Sequence, residues 1–193
     1  MKNHKDSFFG LMNPESMLKG RIAETLVEEL LRQSGNIVYR FGYEAIVQNL
    51  TQLKESFDRN SDVGERIRVM PDFIVIDKEG KPVFVEVKFR RKPELYKSDY
   101  KKIEKINKLW SATIIFVNCY ERPYFRISDP PYIDRDKNLI QRPLLQETSW
   151  EIDQKLYDAY EDLVYRYLTL SVVSPENIDL DIDLPKVTSC IRS

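Results

Sequence analysis

Four polar side chains on three predicted elements are the residues of this sequence best suited to chemistry. Asp72 follows Pro71, Glu86 and Lys88 stand two positions apart in an apolar run, and Glu24 lies upstream on a predicted helix. Three carboxylates and a lysine in this order indicate a site that hydrolyses phosphodiesters with the help of a metal ion.

The sequence contains a single histidine, His4, in a charged N-terminal stretch. Zinc sites of the HExxH kind, Cys/His fingers, histidine-dependent nuclease motifs and a Ser-His-Asp triad all need an imidazole that this chain cannot supply elsewhere. Cys119 and Cys190 have no metal-ligand spacing and are too few for a disulfide framework, so we expect a reducing, cytoplasmic environment. Catalysis would depend on carboxylates, lysines and a hard metal ion.

Length and composition favour one folded domain over residues 1–193. Of these residues 42% are hydrophobic, which argues against disorder. The strongest apolar run, 112–117, is far shorter than the roughly 20 residues that cross a bilayer, so we expect a soluble protein with no membrane partner. The first 118 residues hold 21 Lys and Arg against 17 Asp and Glu, whereas the rest hold 9 against 14. The basic part also contains the polar residues described above, which favours an anionic partner.

Each of these side chains falls on an element that the hydrophobic pattern predicts. A helix is expected over 14–34, with Glu24 at the edge of its apolar stripe and Gly20 one turn earlier, where the missing side chain permits close approach. Strands are expected over 36–43, 67–77, 82–89 and 112–119, a helix from about 93 to 110, and a short amphipathic helix on Ile46, Leu50, Leu53 and Phe57, followed by a polar loop over 58–65. The prediction is a mixed α/β (α+β) fold in which helices flank a mixed sheet.

The loop between the second and third strands decides whether the site can form. A two-residue loop would point Asp72 and Glu86 to opposite faces, because side chains alternate along a strand. A three-residue loop of Lys78, Glu79 and a left-handed Gly80 places Asp72 opposite Glu86, with Lys88 on the same face. Glutamate tolerates the positive φ of a two-residue type I′ turn poorly, so turn chemistry favours the longer loop.

The last third of the chain is predicted to be an extension. Residues 122–143 read as irregular, and Thr148 with Glu151 forms a capping box that would open a helix burying Ile152, Leu156, Tyr160, Leu163 and Tyr167. Residues 178–184 alternate strictly between apolar and acidic side chains, which predicts an edge strand. This extension could support self-association as a homo-oligomer or cover the cleft, and the sequence leaves both open.

Gly-x-x-x-Glu on the first helix, Pro-Asp on the second strand and Glu-x-Lys on the third resemble the PD-(D/E)xK superfamily of restriction-endonuclease-like nucleases. The resemblance covers residues 15–118 and implies a core of order αβββαβ. Residues 119–193, the predicted C-terminal extension of one helix and one strand, lie outside it. It identifies no subfamily.

The resemblance implies a role for each of these residues. Asp72, Glu86 and the Val87 carbonyl would bind Mg²⁺, for which Mn²⁺ could substitute, and Glu24 would reach the metal through water or hold a second ion. Lys88 would orient or help deprotonate the attacking water and offset charge on the phosphate. The expected activity is endonucleolytic cleavage of DNA, with RNA as an alternative substrate.

Basic residues near this motif are candidates for contacts with nucleic-acid phosphates. They are Arg90, Arg91, Lys97, Lys101 and Lys105. Charged helix faces usually serve solubility, so ordinary solvated surface remains an alternative for the lysines. At the level of the whole protein, the alternative is a non-catalytic nucleic-acid-binding or assembly module on the same fold.

Overall fold

The structure is a computed structural model that describes residues 14–42, 61–93, 95 and 97–169. Two predicted elements, the amphipathic helix built on Ile46, Leu50, Leu53 and Phe57 and the strand over 178–184, lie outside these residues. Both stay predictions.

A six-stranded mixed sheet forms the centre of the described structure. Its strands lie side by side in chain order, and every neighbouring pair is antiparallel except β3 and β4, which are parallel. The strands are β1 (Ile37–Arg40), β2 (Phe73–Ile76), β3 (Pro82–Arg90), β4 (Thr113–Asn118), β5 (Phe125–Ser128) and β6 (Arg142–Pro143).

Helices cover both faces of this sheet, which confirms the predicted mixed α/β architecture. They are α1 (Pro14–Gln33), α2 (Asp62–Arg68), α3 (Lys97–Trp110) and α4 (Gln154–Val164), with short helical turns at Leu144–Gln146, Thr148–Trp150 and Tyr165–Thr169. In the described ranges, no helix combines the length and apolarity that a membrane span requires.

The larger hydrophobic core lies between the sheet and the helices α1 and α4. Alternate residues of β2 and β3 point into it, and so does the buried stripe of α1 formed by Ala23, Val27, Leu30 and Leu31. A smaller core on the other face joins Ile103 of α3 to Ile114 and Phe116 of β4. Because β3 is covered on both faces, its polar residues lie inside the molecule near its C-terminal end.

Helix α1 ends within one residue of its predicted boundary, because Gly35 adopts a φ of 90° that closes the helix. The predicted apolar stripe packs against the larger core except at its first residue, Leu18, which is 59% exposed. The stripe residues that pack there are Ile22, Ala23, Leu26, Val27, Leu30 and Leu31. Leucine at a single position near a helix start carries little information about which face is buried.

Residues 58–65 are predicted to form a polar loop. The structure describes this segment from residue 61 on, and a helix, α2, begins there at Asp62. The Ser61 hydroxyl accepts a hydrogen bond from Gly64 N (3.0 Å) and so caps α2, which extends into the region predicted as the start of the second strand. The strand itself begins at Phe73, after Pro71.

Two predictions for the last third of the chain are wrong. Residues 122–143 contain β5 and β6, and the Thr148–Glu151 capping box does not open a helix. Glu151 adopts a left-handed conformation, with a φ of 45°, and Asp153 caps α4 by accepting hydrogen bonds from Lys155 N and Leu156 N. The helix begins later than predicted but buries Tyr160 as expected. Ile152, Leu156 and Leu163 also pack against the larger core, whereas Tyr167 is 53% exposed, contrary to the prediction. The stripe that it buries contains Tyr157, Tyr160, Glu161 and Val164.

Candidate active site

The β2–β3 hairpin has the register in which Asp72 lies opposite Glu86. Phe73 pairs with Val85, and Asp77 N donates to Lys81 O across a three-residue loop. Gly80 closes that loop with a φ of 84°, the left-handed conformation that glycine adopts without strain. The carboxylates of neighbouring strands therefore share one face of the sheet.

The Asp72 carboxylate is held by the backbone of the neighbouring strand. Its Oδ2 accepts a hydrogen bond from Val87 N at 2.7 Å. On the other side, the Asp72 carbonyl accepts from Phe41 N (2.8 Å) and Gly42 N (3.1 Å), so the chain after β1 supports the start of β2. A Cβ at position 42 would lie 3.4 Å from the Asp72 Cα, in van der Waals contact, so the chain after β1 passes close to Asp72.

Burial and the nearby charge of Glu86 raise the pKa of Asp72 to about 8. The hydrogen bond from Val87 N and the charge of Lys88 act in the opposite direction but do not outweigh the first two effects. The protein alone therefore supplies too little positive charge to keep this carboxyl ionised at neutral pH.

Glu86 and Lys88 form an ion pair on the same face of β3. Glu86 is 7% exposed, and Lys88 is half-buried. Burial by itself would lower the pKa of Lys88, but the charges of Glu86, Asp72 and Glu24 raise it above the ordinary lysine value. Lys88 is accordingly a firmly protonated ammonium group.

Glu24 joins this group from helix α1. It is half-buried, and its negative charge acts on both Asp72 and Lys88. The structure thus brings together all four polar residues that the sequence singled out, from one helix and two strands. Gly20, one turn earlier, leaves open space where a side chain would stand.

The Val87 carbonyl, predicted as a metal ligand, lies on the edge of β3 that faces the start of β2. The N–H and C=O of one strand residue point to the same edge, so the Val87 carbonyl faces the start of β2, as its N–H does. Continuing the observed register places Pro71 opposite Val87. Proline has no N–H to donate, so this position of the ladder offers the carbonyl no strand partner.

The residues present fit a hard divalent cation with a small set of protein ligands. Within the described ranges, no three His, Cys, Asp or Glu side chains form a metal-binding group. Two adjacent carboxylates and a backbone carbonyl suffice for Mg²⁺, which keeps several of its waters when bound to protein. The raised pKa of Asp72 indicates that this carboxylate has too little positive charge around it, and a divalent cation would provide that charge.

A cleft of about 500 Å³ opens beside Lys88 at the C-terminal end of β3. Helix α1 contributes Ser16 and Gly20, and α3 contributes Asp99, Lys102 and Ile103. The predicted phosphate-binding residues Arg90 and Arg91 both line it, the former paired with Asp99 (2.6 Å) and the latter with Glu15 (3.1 Å).

The lysines predicted on α3 are placed differently from these arginines. Lys105 pairs with Glu65 of α2 at 2.5 Å, and Lys101 is exposed; neither lines the cleft. The side chain of Lys97 lies outside the described structure. Lys102, which the sequence analysis missed, lines the cleft, and no local sequence signal distinguishes it from its lysine neighbours on α3.

Comparison with protein-family models, with curated proteins and with solved structures gives no match. The geometry of the site and the physical chemistry of its residues are therefore the basis for assigning a function.

Proposed function

We propose that this protein is a Mg²⁺-dependent nuclease with a restriction-endonuclease-like core, an endonuclease that acts on DNA, with RNA as an alternative substrate. The observation that carries the proposal is the convergence of Asp72, Glu86 and Lys88 on one face of neighbouring strands. A structural hairpin gains nothing from placing Asp72 beside Glu86, because the charge of Glu86 raises the cost of ionising Asp72. A function that uses a cation accounts for that cost.

Each residue of the site has a distinct role in the proposed reaction. Asp72 and Glu86 would hold the cation, and the Val87 carbonyl would be a further ligand, while the Val87 N–H fixes the Asp72 carboxylate. The bound cation would activate water and stabilise negative charge on the phosphate. Lys88 is protonated, so it orients the attacking water and compensates charge on the scissile phosphate rather than acting as a free base.

Glu24 stands apart from the hairpin residues because it comes from α1. Its charge reaches both Asp72 and Lys88, which supports a role in holding a water of the cation or a second ion. Phosphate chemistry of this kind does not distinguish DNA from RNA, since the site contacts the backbone rather than base edges. The basic residues Arg90 and Arg91 favour a polyanionic substrate of either kind.

The experiment that tests this function compares cleavage by the full chain in Mg²⁺, Mn²⁺ and EDTA. Substrates should include linear, circular, branched and single-stranded DNA, and RNA. Asp72→Asn and Glu86→Gln should each lower the cleavage rate by at least about 100-fold, because each removes a cation ligand with little change in volume. Glu79→Gln, on the exposed tip of the same hairpin, should cleave like the wild type.

Cleavage that persists in the Asp72 and Glu86 variants would assign the activity to a contaminant and contradict the proposal. Binding without cleavage of any substrate would favour the alternative, a non-catalytic nucleic-acid-binding or assembly module.

A further inference from the structure

The cleft beside Lys88 differs from an ordinary phosphate-binding surface because its floor is apolar. Phe89 and Leu95 are half-buried in its lining. Phe89 packs against the larger core, and Leu95 packs against the smaller core that contains Ile103 and Phe116. A surface that only followed a phosphate backbone would have no reason to leave an aromatic ring and a leucine partly open to a ligand.

The rim of the same cleft is basic. Among the described residues, Arg90, Arg91, Lys92 and Lys102 line it, together with the acidic side chain of Asp99. Arg90 and Arg91 have carboxylate partners in Asp99 and Glu15, whereas within the described part of the chain no ion pair engages Lys92 or Lys102. Two exposed ammonium groups thus stand above an apolar floor.

A basic rim around an aromatic floor fits an unpaired nucleotide. The phosphates of a single strand bind the cationic groups while a base stacks on an aromatic ring, which is how proteins hold single strands without reading their sequence. A base in a duplex is stacked between its neighbours and cannot enter a concave site unless it is unpaired first. The volume of about 500 Å³ lies within the usual range of small-molecule pockets.

We infer that this cleft binds an unpaired nucleotide next to the scissile phosphate, with its base against Phe89 and its phosphates near Lys92 and Lys102, so that the substrate is single-stranded or locally unpaired nucleic acid. This inference rests on the proposed function for the identity of the neighbouring site. It adds a substrate class that the carboxylates and Lys88 do not specify.

Fluorescence anisotropy with a labelled oligodeoxythymidine tests the inference on the full chain in EDTA, where cleavage is suppressed. The matched probes are a blunt duplex of equal length and an oligonucleotide with abasic sites. We expect the single strand to bind at least about tenfold more tightly than the duplex, and the abasic strand to bind about 5- to 150-fold more weakly than the normal one, the range for one stacked base.

Variants assign the two parts of the cleft. Phe89→Leu retains an apolar side chain but removes the ring, so it should abolish the difference between normal and abasic strands. Lys102→Ala should weaken binding of both strands alike and reduce the slope of log affinity against log salt by about 0.7. Lys155→Ala, at an exposed position of α4 across the sheet from α3, is the charge-matched control and should leave the affinity unchanged.

Equal affinities for duplex and single strand, or for normal and abasic strands, would overturn the inference. The proposed function can fail separately. A chain that prefers single strands but cleaves none in Mg²⁺ would contradict the nuclease assignment and leave the cleft assignment standing. A chain that cleaves duplex and binds abasic strands as tightly as normal ones would support the nuclease assignment and contradict the cleft assignment.

Discussion

At the scale of single residues, the charge arrangement around Asp72 explains why the site would need a cation. Asp72 is partly buried beside Glu86, and both its pKa and that of Lys88 are raised. The folded protein therefore holds a proton on Asp72 that the unfolded chain releases at lower pH. Function and stability conflict at this position, as is common where groups are arranged for chemistry.

The raised pKa of Asp72 predicts how stability depends on pH without metal. Above the unfolded pKa the folded state binds more protons than the unfolded state, so the free energy of unfolding falls as pH rises from about 4 toward 8. Asp72→Asn removes this pH-dependent loss of stability, because asparagine does not ionise. In EDTA at pH 8 the variant should be more stable than the wild type by at least about 1.4 kcal/mol, the equivalent of one pKa unit.

Urea unfolding at pH 5 and pH 8 measures this difference, and Glu79→Gln serves as the exposed control. Mg²⁺ should raise the melting temperature of the wild type more than that of Asp72→Asn, because only the wild type has both carboxylates. A variant no more stable than the wild type at pH 8, with the same response to Mg²⁺, would contradict this electrostatic account.

At the scale of elements, the loop between β2 and β3 determines the register of the site. Asp77 Oδ1 accepts hydrogen bonds from Glu79 N (3.0 Å) and Lys81 N (2.8 Å), and Gly80 supplies the left-handed residue. On the face of the sheet that α3 covers, the rings of Phe41 and Phe84 both pack against the ring of Trp110. Their centroids lie 5.4 Å (Phe41) and 5.2 Å (Phe84) from that of Trp110. The hairpin is thus held at its loop and along its length.

Gly80 and Gly20 allow a paired test of this loop. A methyl carbon added at either position would meet no atom within 4 Å, so steric clash contributes to neither substitution. Gly80→Ala should lower the free energy of unfolding by about 1 to 2 kcal/mol, the cost of a left-handed conformation with a side chain. Gly20→Ala, inside a helix, should raise it by about 0.5 to 1 kcal/mol.

Both free energies come from urea unfolding under identical conditions. Equal effects of the two substitutions would show that the left-handed residue does not constrain the loop.

A second element-scale prediction concerns the start of α4. Asp153→Ala should cost about 0.5 to 2 kcal/mol, because Lys155 N and Leu156 N lose their acceptor. Thr148→Ala should cost much less, because Thr148 is exposed and opens only a short helical turn. Thermal unfolding monitored by circular dichroism compares the two variants. A larger loss of stability for Thr148→Ala would show that Thr148, rather than Asp153, caps the helix.

At the scale of the whole molecule, the last described helix is joined to the sheet through a buried carboxylate. Glu161 is 2% exposed, and its Oε1 accepts hydrogen bonds from Tyr124 N (2.6 Å) and Phe125 N (3.2 Å) at the start of β5. Trp150 and Val164 complete the same core as α1. The residues predicted as an extension therefore share a core with the candidate active site.

This shared core predicts that the chain unfolds as one cooperative unit. Its two tryptophans report different places: Trp150 is buried in the larger core, and Trp110 lies on α3 across the sheet. In the single-tryptophan variants Trp110→Phe and Trp150→Phe, fluorescence and far-ultraviolet circular dichroism should give coincident urea midpoints within each variant. Separate midpoints would indicate that residues 15–118 fold independently of the rest.

The sequence by itself determined the local features of the site. The alternation of Glu86 and Lys88, the three-residue loop ending in Gly80 and the extent of α1 depend on backbone conformations a few residues long, which residue type strongly restricts. The register of Asp72 against Glu86 followed from the loop for the same reason.

Only the tertiary structure decided which distant residues meet and how they are charged. The approach of Glu24 to Asp72, the place of Gly42 beside Asp72 and the part of Lys102 in the cleft depend on how helices pack on the sheet. The start of α4 at Asp153 rather than Thr148 also belongs here, since Trp150 is buried in the core immediately before it. Packing energy is summed over many contacts remote in sequence, so no short segment contains the information that selects these arrangements.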